Sequence, residues 1–196
     1  MLRSDIINTL IKNFSYKTYL EIGVRDKKQN FNKINICDKE GVDPNSLAEA
    51  EHIMTSDEFF NKNNKKFDII FIDGLHIKDQ FIRDVENSLK FLNDGGIIVC
   101  HDCLPNSFEE QDGGPYPPRA WTGDVWKGIA YFRMNRPDME INVVDTDYGC
   151  GIIRSGKQNL YINKYNQEID YSFYVQHKNE LMNVISVNEF IRVYKK

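Results

Sequence analysis

The sequence has no long apolar run. Its longest aliphatic stretches, Ile69-Ile70-Phe71-Ile72 and Ile97-Ile98-Val99-Cys100, are strand-sized and fall far short of the ~20 residues of a membrane-spanning helix. There is no Lys/Arg run that could track a phosphate backbone, and 25 basic residues against 29 acidic ones leave a net charge of −4. Nucleic acid is therefore excluded as a main partner. Cysteine is scarce, four residues in 196, too few for a disulfide scaffold in a chain of this length. An export signal is missing as well: Ile6, Ile7, Leu10, Ile11 and Phe14 fall at helical spacing, interrupted by Asn8, Thr9, Lys12 and Asn13, which describes an amphipathic helix and not a continuous signal core. A cytoplasmic location is the expectation.

What remains is a globular composition, 41% hydrophobic and 28% charged, over 196 residues. That length suits one domain with a sizeable core. Short β-like runs alternate with helical ones. Thr18–Gly23, the end of a strand at Gly41–Asn45, Phe67–Asp73 and Ile97–Cys100 read as strands. Ile77, Phe81, Ile82, Val85, Leu89 and Leu92 share one helical face, which Gly95-Gly96 brings to an end. A helix is expected over Val125–Phe132, then strands at Ile141–Val144 and Gly151–Ile153, then helical stretches around Lys178–Ile185 and Asn188–Tyr194. Ser186-Val-Asn-Glu189 is a capping-box candidate for the last of these. The alternation predicts an α/β fold: a mostly parallel sheet with helices on both faces and a final antiparallel strand pair. The core fold is expected over about 1–155, with 156–196 a docked C-terminal extension of the same domain.

In such sheets, ligands bind outside the carboxyl ends of the strands, near the switch in strand order. The residues expected there are Glu21-Ile-Gly23, Asp43-Pro-Asn45, Asp73-Gly74-Leu-His76 and His101-Asp102. Each strand end carries a carboxylate, and two carry a histidine. Gly23 is either a plain tight turn or a close approach to a cofactor. The dinucleotide fingerprint G-x-G-x-x-G is absent, since Val24, Arg25, Asp26, Lys27 and Lys28 follow Gly23. A diphosphate would lack its cradle and would be repelled by Glu21, which argues against NAD. Asp43, 20 residues after Gly23, can accept hydrogen bonds from ribose hydroxyls, or can simply organise an Asp-Pro-Asn turn. Ser56-Asp57 either faces an adenine edge or caps a helix. Asp73-Gly74 is followed by a helical segment and so is no hairpin turn.

Cys100-His-Asp-Cys103 leads into a loop and not a helix, which makes redox chemistry a poor fit, and no second ligand pair supports structural zinc. Cys100 is expected in the core. Asp73 and Asp102, on successive strand ends, could hold a hard cation such as Mg²⁺, with His101 as a third ligand or a base. Leu104–Ala120 is expected to be an irregular loop able to cover the cleft. Trp121 is expected in the substrate pocket wall, and Trp126 in the core.

Taken in order, Leu20-Glu-Ile-Gly-Val24, Gly41-Val-Asp-Pro-Asn45, Thr55–Phe60, Phe67–His76 and Gly95–Asp102 resemble the motifs of class I S-adenosylmethionine-dependent methyltransferases, over roughly residues 17–155. Trp121-Thr-Gly-Asp-Val-Trp126 and Asp147-Tyr-Gly-Cys-Gly151 resemble a small bacterial group with Ile-Asp-Gly-Leu-His and His-Asp motifs. The resemblance implies a Rossmann-like sandwich. It implies cofactor-binding roles for Glu21, Gly23, Val24, Asp43, Asp57, Asp73 and Gly74, and catalytic roles for Asp73, His76, His101 and Asp102. Related O-methyltransferases bind a divalent metal at positions matching Asp73 and Asp102, where His101 stands in place of a frequent further acid. Lys27 replaces a usual glycine. The expected function is O-methylation of a small hydroxylated acceptor such as a sugar or glycan precursor, with His76 or His101 as base. The alternatives are a cofactor-binding module without transfer, suggested by Lys27, and, as a poorer fit, an NAD-dependent oxidoreductase.

Overall fold

The computed structural model describes residues 1–112 and 120–195. Seven strands form one sheet: β1 (Thr18–Ile22), β2 (Asp38–Val42), β3 (Phe67–Ile72), β4 (Leu92–Cys100), β5 (Met139–Val144), β6 (Cys150–Ser155) and β7 (Val184–Ile185). Their order is β2-β1-β3-β4-β6-β5-β7. β6 pairs antiparallel with both β4 and β5, and all other pairings are parallel. The chain runs outward from β1 to β2 and then returns to place β3 on the other side of β1. The topological switch, and the crevice it opens, therefore lie between the carboxyl ends of β1 and β3.

Helices α1 (Arg3–Phe14), α2 (Ser56–Lys62), α3 (Lys78–Lys90), α4 (Phe108–Asp112), α5 (Val125–Asn135), α6 (Tyr171–Leu181) and α7 (Val187–Val193) complete the fold. All of them but α4 divide between two apolar layers. Ile70 and Ile72 of β3 join the layer of α2, α3, α5 and α6, which contains Phe59, Phe60, Phe81, Val85, Trp126, Ile129, Phe173 and Leu181. Ile69 and Phe71 join the opposite layer with Ile6, Ile7 and Leu10 of α1 and Phe190 of α7. Alternate side chains of a strand point to opposite faces. Burial on both faces thus explains why β3 reads as an unbroken apolar run and not as an alternation.

Several boundaries differ from the sequence expectation. β4 begins at Leu92, before the two glycines, and its pairing jumps from Phe67↔Leu92 to Ile69↔Ile97. Gly95, with φ +76° and open space around its Cα, belongs to that irregularity. The expected helix around Lys178–Ile185 instead begins at Tyr171 and ends at Leu181, because Asp170 accepts a hydrogen bond from Phe173 N (2.8 Å) and caps it. Val184-Ile185 leaves the helix to pair with Val143-Val144. The final helix follows its predicted capping box: Ser186 Oγ accepts from Glu189 N (3.2 Å), and Glu189 Oε2 accepts from Ser186 N (2.9 Å). The loop expected over Leu104–Ala120 contains α4, and its remaining expected lid, residues 113–119, lies outside the described residues. No helix among the described residues is long and apolar enough to cross a membrane.

Candidate active site

A cleft of about 880 Å³ opens at the switch point. Its lining contains Glu21, Gly23, Val24, Asp43, Asp57, Asp73, Gly74, His76, His101, Asp102 and Trp121, all singled out from the sequence. Arg3, Asn30, Gln80, Asp84 and Tyr148 also line it and were not foreseen. Trp126, by contrast, is fully buried in the core. Among the described lining residues, six acids stand against two arginines, Arg3 and Arg25, and two histidines, His76 and His101.

The end of the cleft beside β1 and β2 is set by backbone. Gly23 has φ +87°, and a methyl group built on it would lie 2.2 Å from the Asp73 carbonyl oxygen. Only glycine lets the end of β1 cross that close to the end of β3. Asp43 Oδ2 accepts from Arg25 N and Oδ1 from Asn45 N, both at 2.8 Å. Asp43 therefore organises its turn and still has lone pairs to offer, so the two readings of it do not compete. Thr55, and not Ser56, is the N-cap of α2, through a capping box with Glu58. Ser56 and Asp57 are thereby free to line the cleft. Lys27 points elsewhere: its Nζ meets Glu51 Oε1 at 2.5 Å and lies 5.0 Å from the centre of the Phe31 ring.

Glu21 is buried, and accepts from the Tyr19 hydroxyl and from Asn30 Nδ2 (2.9 Å). Burial pushes its carboxyl up to about 7, against the pull of those two hydrogen bonds. The same burial, with the neighbouring Glu21, drives the Tyr19 hydroxyl far above its ordinary range.

The opposite end is a side-chain network. His76 Nδ1 donates to the Trp121 carbonyl (2.8 Å), which aims Nε2 at Asp73 Oδ1 (3.4 Å) and Asp102 Oδ2 (3.3 Å). The Trp-x-Gly-Asp stretch makes that geometry. Gly123, at φ +58°, passes so close to His76 that a methyl group on it would lie 1.8 Å from the His76 carbonyl oxygen. Asp124 Oδ1 accepts from Lys78 N (2.6 Å) and caps α3. Burial would lower the His76 ring, but the hydrogen bond to Asp73 and the charges of Asp102 and Asp73 outweigh it and raise it.

His101 is more deeply enclosed. Its Nδ1 faces Asp102 Oδ1 (3.1 Å) and Asp73 Oδ1 (3.5 Å), and its Nε2 faces Asp147 Oδ2 (3.5 Å). Burial opposes the charged ring, yet the carboxylates hold it protonated well above the usual range. Arg3 Nη1, a pure donor, lies 3.0 Å from the same Nε2 and pulls the other way. With the ring protonated, Arg3 and His101 share Asp147 Oδ2. Asp73 would be raised by burial, but His101 and His76 together keep it far below the carboxylate range. Asp147 is held at about 2, the hydrogen bonds from His101 and Arg3 overcoming burial. Asp102 (φ +58°), Asp147 (φ +48°) and Tyr148 (φ +60°) all adopt left-handed backbone, the kind of strain that clusters at functional sites.

β4 ends at Cys100, and the turn at Asp102 breaks the alternation expected for Cys100, His101 and Asp102. Cys100 is buried in the core, and all four cysteines are free thiols. The expected ligands Asp73, His101 and Asp102 adjoin one another, with His101 Nδ1 3.5 Å from Asp73 Oδ1 and 3.1 Å from Asp102 Oδ1. Among the described residues, compact donor sets are Asp73–His76–Asp102 and His101–Asp147–Cys150. The left-handed turn aims one Asp102 oxygen at His76, while His101 continues toward the β5–β6 turn. A ligating histidine characteristically donates its other N–H to a carbonyl or carboxylate, as His76 does to Trp121, so the first set fits a divalent cation.

Residues 27–103 match a family described as a methyltransferase domain. Solved structures share the fold. The O-methyltransferase TomG from Streptomyces achromogenes, involved in tomaymycin synthesis and in complex with SAM, is 13% identical with a TM-score of 0.56, over 78% of this chain and 79% of that one. A Bacillus cereus O-methyltransferase in complex with SAH is 16% identical with a TM-score of 0.53, over 77% and 79%. The SAH-bound Podospora anserina methyltransferase PaMTH1 is 16% identical with a TM-score of 0.51, over 76% of each chain. A search of curated protein sequences found no match.

Proposed function

We propose that this chain, a methyltransferase of the class I fold, moves a methyl group from S-adenosylmethionine to a hydroxyl of a small acceptor. The observation that carries the reading is the placement of His76: its Nε2 stands between the carboxylates of two adjacent strand ends, at one end of an acidic cleft. The cofactor brings an electrophilic methyl on a cationic sulfonium, which suits six lining acids. Of the three buried atoms of the cleft wall without hydrogen-bond partners among the described residues, His101 Nδ1 faces the Asp102 and Asp73 carboxylates; the other two are the acceptor Asn30 Oδ1 and the donor Arg3 Nε, 3.8 Å from Asp73 Oδ2. Together they suit the ammonium and carboxylate of an amino-acid end, with Glu21 and Gly23 alongside, Val24 and Gly74 along the floor, and Asp43 on the ribose.

The reaction is a direct displacement: an O–CH₃ bond forms as the S–CH₃ bond breaks, and the acceptor's proton must leave. The protein aligns the hydroxyl and removes that proton. His76 is the residue placed to take it at Nε2 once that nitrogen has shed its own proton: its ring reaches the cleft, its Nδ1–H is spent on Trp121, and the two carboxylates raise its basicity. His101, walled in by Arg3, Asp73, Asp102 and Asp147, positions the two carboxylates instead. Asp73, His76 and Asp102 would hold a divalent cation; with it bound, His76 Nε2 would be a ligand and the ion, instead of the ring, would acidify the hydroxyl. Trp121, whose ring centre lies 5.0 Å from that of His76, and Tyr148 supply flat apolar walls. Those walls support a ring-shaped acceptor such as a sugar or glycan precursor.

The test is a methyl-transfer screen of sugars and phenols, with Mg²⁺ and after EDTA treatment. We expect transfer that His76→Ala reduces about 10²- to 10⁴-fold, the range of general-base contributions. Undetectable cofactor binding by calorimetry would sink the reading, and unchanged rates after EDTA would remove the metal.

A further inference from the structure

We propose that Arg133 and Tyr161 bind a phosphate-type oxyanion where residues 157–163 pass the end of α5, apart from the cleft. Arg133 is in the last turn of α5, and Tyr161 N donates to its carbonyl (2.9 Å). Both residues are more than nine-tenths buried, Arg133 being 8% and Tyr161 6% exposed. The guanidinium uses one end: Nη1 donates to Gln158 Oε1 and to the Asn159 carbonyl (3.4 Å). Gln158 is itself fixed, since its Nε2 donates to the Phe132 (3.2 Å) and Arg136 (2.7 Å) carbonyls. The other edge is unused. Nε is buried and has no acceptor, and Nη2 has none among the described residues either. The Tyr161 hydroxyl is likewise buried without a partner. Neither residue lines the cleft.

Among the described residues no carboxylate forms an ion pair with Arg133, whereas Arg136, nearly one turn on, pairs with both Glu86 and Asp138. Burial holds the Arg133 pKa below its ordinary range, and no acid offsets that. The negative end of the α5 dipole compensates part of the charge but supplies no acceptor to Nε. Burial, and then the charge of Glu180, raise the Tyr161 hydroxyl, yet Glu180 pairs with Lys164 (4.0 Å) and not with Arg133. Buried donors and a buried charge left this way are costly. Three donors and an unpaired positive charge call for an anion with several oxygens. Nε and Nη2 form the fork that grips two oxygens of a phosphate or carboxylate. A third donor, the Tyr161 hydroxyl, suits phosphate, which has a further oxygen to offer. The chain beside Arg133, residues 157–163, contains neither helix nor strand and exposes Leu160 and Ile162, so entry asks no core element to move.

The experiment is a titration of the isotope-labelled full chain with inorganic phosphate at fixed ionic strength, followed by NMR at the arginine Nε–H groups, with acetate as the comparison. The Arg133 Nε–H signal, identified by its loss in Arg133→Lys, is expected to shift saturably with phosphate. Phosphate is expected to bind about threefold more tightly than acetate or better. Arg133→Lys keeps the charge and lacks the fork, and is expected to weaken phosphate binding by calorimetry about tenfold. Tyr161→Phe is expected to weaken it about threefold. No saturable shift at any arginine Nε–H of the wild-type protein overturns the proposal, and that measurement needs no variant. Tighter binding of acetate than of phosphate also overturns it. So does a phosphate affinity that Arg133→Lys leaves unchanged. Displacement of phosphate by S-adenosylhomocysteine would place the anion in the cleft and overturn the proposal without touching the cofactor reading.

Discussion

The two ends of the cleft are built by different means. At the proposed cofactor end, Gly23 and Asp43 take their geometry from backbone, a glycine that crosses Asp73 and a carboxylate satisfied by two backbone amides, and Glu21 is held by side chains close in sequence, Tyr19 and Asn30. At the other end, His76, His101 and Asp102 are fixed by partners far along the chain, Trp121, Arg3 and Asp147. A site made from backbone turns depends on few contacts. A site made from a charge network couples every member to the others. The cofactor end should therefore tolerate damage to the acceptor end.

Asp102→Asn tests that separation most severely. Asn tolerates the left-handed backbone that Asp102 adopts, so the turn is kept while the charge is lost. Transfer is expected to fall by about 10³-fold, with S-adenosylhomocysteine affinity by calorimetry unchanged within about threefold. A parallel loss of affinity would mean that the two ends are one unit.

Glu21→Gln probes the cofactor end through stability. The folded-state pKa of Glu21 is about 7, against an ordinary 4.5. Between those values the folded protein keeps a proton that the unfolded chain releases, so stability falls as pH rises through that window. The loss is on the order of 3 kcal/mol. Thermal unfolding of the Gln variant should lack this fall, and its melting temperature relative to wild type should rise from pH 5 to pH 8. Parallel pH profiles for the two proteins would contradict the assignment.

Lys27→Gly should have the smallest effect. Its side chain is engaged with Glu51 and Phe31, away from the cleft, so S-adenosylhomocysteine affinity should change by less than about twofold, a typical surface effect. A tenfold gain would instead support the view that Lys27 disables the cofactor site.

Legibility in the sequence followed the same division. β3 and the Asp73 at its end could be read directly, because an apolar run closed by Asp-Gly is a local signal. α6 was misplaced: its Asp170 cap was the available cue, but its buried face, Phe173, Tyr174 and Leu181, is sparse. α4 is five residues long with no buried side chain, and so has no periodicity to detect. The left-handed turn at Asp102, which brings its carboxylate to both His76 and His101, has no signature in residue type. Arg3 and Asp147 are 144 positions apart, and only the docking of α1 on the β5–β6 turn joins them.

The sequence by itself determined that acids gather at one edge of an α/β sheet, because parallel strands share their carboxyl ends and each strand's period and punctuation are local. Only the tertiary structure decided which histidine faces the cleft, which is enclosed, and that Asn30, Asp84 and Arg3 belong to the same wall. Those placements depend on how helices and turns from distant parts of the chain pack against that edge, and a side chain's partners across such contacts leave no spacing to read.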